Sequence, residues 1–278
     1  MGNEPLMDSH PSDRGPAISG EPGTSSAVLA LEADQFFLVY QPEFDLRTNA
    51  FVGVEALIRW RHPERGELAP RDFLPALEAD GGIVPVGRWT LLTACLQGSE
   101  WHDKGYRFSV SVNISIPQAA RQEFFTEVEA ALTTTRFPAA LLVLEFSQAV
   151  LHAGAPFVKR LVELRVLGVR IAIDDFEPDH SSIIDLEGLP VDIVKLDRDF
   201  INDATRVPSA QLINAVVDQA KVQHIQVVAA GVEDADQSEL LRIGNVGVGQ
   251  GFHFSRPREA AEIDQMLLDF SIFSGKPI

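Results

Sequence analysis

Phe36-Phe37-Leu38-Val39-Tyr40-Gln41-Pro42-Glu43-Phe44 and Phe51-Val52-Gly53-Val54-Glu55-Ala56-Leu57-Ile58 are two apolar runs rich in aromatic and β-branched residues, the composition of strands. After Asp45, only Leu46-Arg47-Thr48-Asn49-Ala50 stands between them. A crossover between parallel strands needs a dozen or more residues, so this link predicts a hairpin and an antiparallel first strand. Six further runs follow: Phe108–Ile114, Leu141–Phe146, Val169–Ile173, Val191–Leu196, Ile225–Ala229 and Val246–Phe252. Several are apolar on both faces, as strands covered on both sides are. Helical stripes lie between most of them. After Pro85, Trp89, Leu92 and Leu96 recur at i, i+3 and i+7, with Leu91 and Cys95 beside them. Phe157, Leu161 and Leu164 make a similar stripe, as do Val216, Val217 and Ala220. Eight strands alternating with helices predict an α/β fold, a (β/α)8 TIM-like barrel with an antiparallel first strand.

Residues 1–25 read differently. Pro5, Pro11, Pro16 and Pro22 alternate there with Gly2, Gly15, Gly20 and Gly23 among Ser and Asp, which predicts a disordered leader. No second such stretch occurs, so 26–278 is expected to be one domain. The 278 residues carry 23 Lys+Arg and 40 Asp+Glu, a net charge of −17. That balance argues against a nucleic-acid polymer or an anionic membrane as partner, since both reward basic surfaces. A small anionic ligand stays open, because a metal or a few Arg reverse the sign locally. One cysteine, Cys95, excludes an internal disulfide and cysteine-cluster metal sites. Apolar runs such as Leu141–Leu144 fall far short of the ~18 residues of a membrane span. The N-terminus lacks the basic-then-apolar order of a signal peptide, and a cytoplasmic location is expected.

Ionisable and amide groups interrupt these apolar runs. Glu55 sits inside the second, Glu145 follows Leu141-Leu142-Val143-Leu144, and Asp174-Asp175 follow Ile171-Ala172-Ile173. Lys195 follows Val191-Asp192-Ile193-Val194, Asn113 closes Val110-Ser111-Val112, and Gln250 closes Val246-Gly247-Val248-Gly249. A lone buried carboxylate is costly without a metal, a cation or several hydrogen bonds. Taken singly, Asp174-Asp175 also reads as a turn or helix cap, Asn113 as a turn residue and Lys195 as a snorkelling side chain. Glu55 and Glu145 also read as structural ion-pair partners. Taken together, most of these groups lie near the C-terminal ends of strands, which a barrel gathers on its active face. Carboxylate and amide oxygens without Cys or His suit Mg²⁺, Mn²⁺ or Ca²⁺ rather than zinc.

Val54-Glu55-Ala56-Leu57-Ile58-Arg59-Trp60 resembles the signature of the EAL-domain family, which hydrolyses cyclic di-GMP. The resemblance continues in order through Tyr40-Gln41-Pro42, Val112-Asn113-Ile114-Ser115, Leu144-Glu145, Asp174-Asp175-Phe176, Val194-Lys195-Leu196-Asp197, Gly231-Val232-Glu233 and Gln250-Gly251-Phe252. It implies a barrel whose first strand is antiparallel. It implies that Glu55, Asn113, Glu145 and Asp174 hold one Mg²⁺ or Mn²⁺ and that Asp175 helps hold a second. Lys195 would contact the attacking water, and with Glu55 would carry catalysis. Gln41, Arg59 and Gln250 would bind or position cyclic di-GMP, which two metals would open to linear pGpG. The resemblance also implies a homodimer through helices beside the Phe176–Ser182 loop, and it leaves room for a protein partner.

Three departures from the family pattern cluster together. Ala230 stands where the family has a glutamate of the metal centre, so the second metal site is impaired. Gln148, three residues after Glu145, replaces another family glutamate. Glu177-Pro178-Asp179-His180 replaces a Gly-Thr-Gly-Tyr loop, so two glycines are lost to Glu177 and Asp179, and Pro178 fixes φ between them. His253 reads as a packing or rim histidine. Three readings remain: a degenerate EAL domain that binds metal and cyclic di-GMP with weak or absent hydrolysis, a working phosphodiesterase with one impaired metal site, and a protein-binding module without nucleotide. Retention of Gln41, Arg59, Lys195 and Gln250 favours the first two. Ala230, Gln148 and the altered loop favour the first.

Overall fold

Asp45 turns the chain at the predicted hairpin. Its Oδ1 accepts hydrogen bonds from the Arg47 and Thr48 backbone N–H groups and from Thr48 Oγ1, at 2.7 to 3.0 Å. Asn49 takes a left-handed φ of 56°, which its short polar side chain tolerates. The two arms then pair antiparallel from Phe36 opposite Trp60 to Phe44 opposite Phe51. The computed structural model describes residues 24–176, 186, 188–204 and 210–274.

The strands are β1 (Phe36–Asp45), β2 (Phe51–His62), β3 (Gly66–Leu68), β4 (Ser109–Asn113), β5 (Leu142–Ser147), β6 (Arg170–Phe176), β7 (Ile193–Leu196), β8 (Gln226–Ala229) and β9 (Val248–Gln250). Each of the eight predicted runs supplies one barrel strand. β1 pairs antiparallel with both β2 and β9, and the other neighbours in the ring run parallel, so the sheet closes in the order β1-β2-β4-β5-β6-β7-β8-β9. The short β3 is an antiparallel flap on the end of β2. The helices are α1 (Thr24–Glu32), α2 (Leu74–Asp80), α3 (Ile83–Asp103), α4 (Ile116–Ala119), α5 (Phe124–Thr135), α6 (Ala155–Val166), α7 (Arg198–Ala204), α8 (Ala210–Val222), α9 (Ala235–Ile243) and α10 (Ala260–Ser274). Among the described residues no helix is long and apolar enough to cross a membrane.

The alternation within β1 assigns its two faces. Phe36, Leu38, Tyr40 and Phe44 are buried outside the barrel, in the core formed with the helices. There the Tyr40 ring meets Trp101 of α3 edge-on at 4.9 Å. Gln41 and Glu43 belong to the opposite, inward face, paired with Glu55 and Gly53 of β2. Low in the barrel a separate small cluster, Val143, Ala172, Ile193, Val228 and Val248, fills the interior.

Two local expectations are corrected. The stripe read on α3 is right only in part: Leu91 and Cys95 are buried and Trp89 packs against the core, but Leu92 and Leu96 are 37% and 47% exposed. The buried face is Val86, Gly87, Thr90, Leu91, Ala94, Cys95, Gly98 and Trp101. Small residues hold that face because neighbours approach closely. A Cβ at Gly98 would lie 2.8 Å from the Phe137 ring, and one at Gly87 would lie 2.3 Å from the Gln118 amide oxygen. Size complementarity here outweighs side-chain hydrophobicity. Helix α1 also carried no helical signal in the sequence reading. It begins at Thr24, inside the expected leader, and buries Ala27 and Ala30. The stripes on α6 and α8 are buried as predicted. The Glu177–Ser182 part of the altered loop lies outside the described residues, as do residues 1–23 of the leader.

Candidate functional site

Five strands deliver polar side chains to the same end of the barrel. Glu55 (β2), Asn113 (β4), Glu145 (β5), Lys195 (β7) and Gln250 (β9) are joined through hydrogen bonds. Lys195 Nζ donates to Glu55 Oε2 at 2.7 Å and to both Glu145 oxygens at 3.0 Å. Asn113 Nδ2 donates to Glu55 Oε1 at 2.6 Å, and Gln250 Nε2 to Glu55 Oε2 at 2.9 Å. Lys195 is 1% exposed, so the snorkelling reading fails. Lys195 supplies Glu55 with a cationic partner from 140 residues away in the chain.

The two glutamates share one ammonium and titrate in opposite directions. Burial pushes the Glu55 carboxyl up, but the charge of Lys195 and hydrogen bonds from Lys195, Gln250 and Asn113 outweigh it and hold Glu55 below the usual range. Glu145 receives only Lys195, so burial dominates and raises it well above the ordinary value. Burial likewise pushes Asp174 up to about 6. Asp175 is raised by burial and then by the neighbouring Asp197 charge. One oxygen each from Glu55, Glu145 and Asp174 lies within 4.8 Å of the others, a spacing that can hold a cation. Asn113 pairs in register with Glu145, and its carboxamide touches Glu55, so it joins the same group.

Two cavities meet at these acids. A cleft of about 510 Å³ runs from Glu55, Asn113, Glu145 and Asp174 to an apolar end between α2 and α3, past Ile58, Leu74, Ile83 and Val86. A second, of about 280 Å³, is lined by Gln41, Asp174, Asp175, Lys195, Ala230 and Gln250, among others. Gly251 shapes its wall, since a Cβ there would lie 2.1 Å from the Val232 carbonyl oxygen. Ala230 brings only a methyl group to this cavity. Glu233 is turned to an ion pair with Arg198 at 2.7 Å.

The sequence-predicted residues thus converge, with one exception. Arg59 lies four residues beyond Glu55 on β2, lines neither cavity, and donates to the neighbouring Ile58 carbonyl at 2.8 Å. His253 is exposed and meets Phe254 edge-on at 4.8 Å, a rim position. The sequence reading passed over Glu43, which is 6% exposed. The signal was present: an acid two residues from Gln41 on one face of an apolar strand.

A family model for the EAL domain matches residues 25–257. The chain belongs to the EAL domain family. This EAL domain is 35% identical over 238 residues to the protein of Escherichia coli strain K12 named cyclic di-GMP phosphodiesterase PdeR, covering 85% of this chain and 36% of that protein. It is 38% identical over 241 residues to the uncharacterized protein Rv1357c of Mycobacterium tuberculosis strain H37Rv, covering 84% of this chain and 78% of the other. A solved structure, the PaMucR phosphodiesterase in complex with c-di-GMP, matches with a TM-score of 0.80 at 35% identity over 86% of this chain and 98% of that one. The chain spans about a third of the length of curated relatives such as PdeR. In the EAL frame, the antiparallel β1 is where the family resemblance expected it.

Proposed function

We propose that this EAL domain binds cyclic di-GMP together with a hard divalent cation, Mg²⁺ or Mn²⁺, and hydrolyses the nucleotide weakly or not at all, acting as a signalling receptor. The observation that carries this reading is an asymmetry. The group formed by Glu55, Asn113, Glu145, Asp174 and Lys195 is complete, while Ala230 presents a methyl group to the cavity beside Asp175. All-oxygen donors on three carboxylates suit Mg²⁺ or Mn²⁺. Glu55, Asn113, Glu145 and Asp174 would hold one such cation, and Asp174 with Asp175 would hold a second only incompletely. When bound, the cations polarise a phosphoryl oxygen and lower the pKa of a water.

The chain's own residues supply the rest. Lys195 brings a buried positive charge toward an anionic phosphodiester. Gln41 and Gln250 line the same cavity and offer amide groups that fix the ligand's orientation. The apolar end of the larger cleft accepts a nucleobase and excludes water from it. Glu233 does not replace the carboxylate missing at Ala230, because it is engaged by Arg198. A working phosphodiesterase is the second reading, supported by the intact Lys195 network and by relatives that carry that name.

Calorimetric titration with Mn²⁺ and then cyclic di-GMP, beside single-turnover measurement of pGpG, tests the proposal. Wild type should bind both, and Glu55→Ala should lose the cation. A wild-type rate of about 1 s⁻¹ or more, ordinary for an enzyme, would replace the receptor with the active enzyme. Failure of wild type to bind either ligand would overturn both readings.

A further inference from the structure

One strand layer below the site, the barrel holds a chamber of about 120 Å³ that no role so far uses. Its polar lining is Glu43, Ser109, Ser111, Arg170 and Gln226, and its roof is Lys195 and Glu145. Glu43 comes from the inward face of β1, opposite Gly53. Gly53 makes the room: a Cβ there would lie 2.5 Å from Glu43 Oε2 and 2.6 Å from Ser109 Oγ. Arg170 is turned to Gln226, donating to its Oε1 at 2.6 Å. Among the described residues no protein hydrogen bond or ion pair reaches the Glu43 carboxylate, although it is 94% buried by its 6% exposure. A buried acid without a partner is expensive, and a chamber of this size admits a few waters but no large ligand.

The Lys195 network explains why such an acid belongs there. Both oxygens of Glu55 and both of Glu145 already accept hydrogen bonds, three of the four from Lys195. A divalent cation held by Glu55, Glu145 and Asp174 needs oxygens that the ammonium now occupies. Lys195 must then release at least part of that pairing while its charge stays buried. Glu43 is the one other carboxylate lining the chamber that Lys195 faces.

We propose that Glu43 is the counter-ion that receives the Lys195 ammonium when a divalent cation takes Glu55 and Glu145, so that the site can load metal without burying an unpaired lysine. Glu43 is a positioning residue, acting through Lys195. The inference rests on the cation site proposed above.

The test is Mn²⁺ titration by calorimetry at pH 8 on wild type, Glu43→Gln, Glu43→Asp, Lys195→Met and the Glu43→Gln/Lys195→Met double variant. Glu43→Gln should weaken Mn²⁺ binding by about three- to tenfold, as expected for one nearby charge in a partly screened interior. Glu43→Asp, which keeps the charge, should stay within about twofold of wild type. In the Lys195→Met background the Glu43→Gln effect should largely vanish, since a pair that acts as a unit is non-additive. Unchanged Mn²⁺ affinity in Glu43→Gln would overturn the inference, and so would an equal loss with and without Lys195, which would mark Glu43 as a direct long-range attractor. Absence of Mn²⁺ binding in wild type would instead remove the cation site itself.

Discussion

Replacing Glu43 by Gln should make this protein more stable at pH 8 and leave it nearly unchanged at pH 5. Burial is the main reason the Glu43 carboxyl rises from 4.5 to about 7, with Glu55 and Asp174 adding to the rise and Lys195 and Arg170 opposing it. A carboxyl whose proton affinity is higher in the folded chain favours folding while protonated, and that contribution is lost as pH climbs from the unfolded value through the folded one. At about 1.4 kcal/mol per tenfold change in affinity, the ionised Glu43 costs up to about 3 kcal/mol above pH 7. Gln keeps the shape and the hydrogen-bonding capacity but cannot ionise. Urea denaturation of wild type and variant from pH 5 to pH 8 checks this. The two curves should coincide near pH 5 and separate toward pH 8, the variant on top. Glu145 and Asp174 also contribute slopes of the same sign, so only the difference between the proteins isolates Glu43. Parallel curves across the whole range would refute the reasoning.

Two further outcomes are expected. Lys195→Met leaves Glu55 and Glu145 buried without their cation and should cost about 3–5 kcal/mol at pH 8, with the loss shrinking on acidification as the carboxylates protonate. Millimolar Mn²⁺ should raise its melting temperature more than that of wild type, and an unchanged urea midpoint would contradict the central place given to the lysine. Ala230→Glu should raise the number or affinity of bound Mn²⁺ ions in calorimetry more than it raises pGpG formation, because Gln148 still differs from the family pattern. A full recovery of turnover from this single change would show that position 230 alone limits the chemistry.

Most of the site was legible because acids and amides cannot sit cheaply in apolar strands. Glu55, Asn113, Glu145, Asp174 and Lys195 were each visible as interruptions, and the barrel placed them at one end. Glu43 obeys the same rule, an acid two residues from Gln41 on the inward face of β1. Arg59 shows the opposite case: a motif position that folding directs to a backbone carbonyl instead of the cavities.

By itself the sequence determined the number of barrel strands, the antiparallel start and the list of polar intruders, because strand composition, link length and the cost of burying charge are local properties. Which face of α3 is buried depended on how closely the Phe137 ring and the Gln118 amide approach Gly98 and Gly87, and no periodicity encodes that distance. The partner of Glu55 also depended on the fold. Glu55 and Lys195 are 140 residues apart, and only barrel closure brings the ammonium to 2.7 Å from one carboxylate and 3.0 Å from the other. The electrostatics of the site follow from that closure, since one shared cation in a buried site holds Glu55 below the usual carboxylate range and leaves Glu145 well above it.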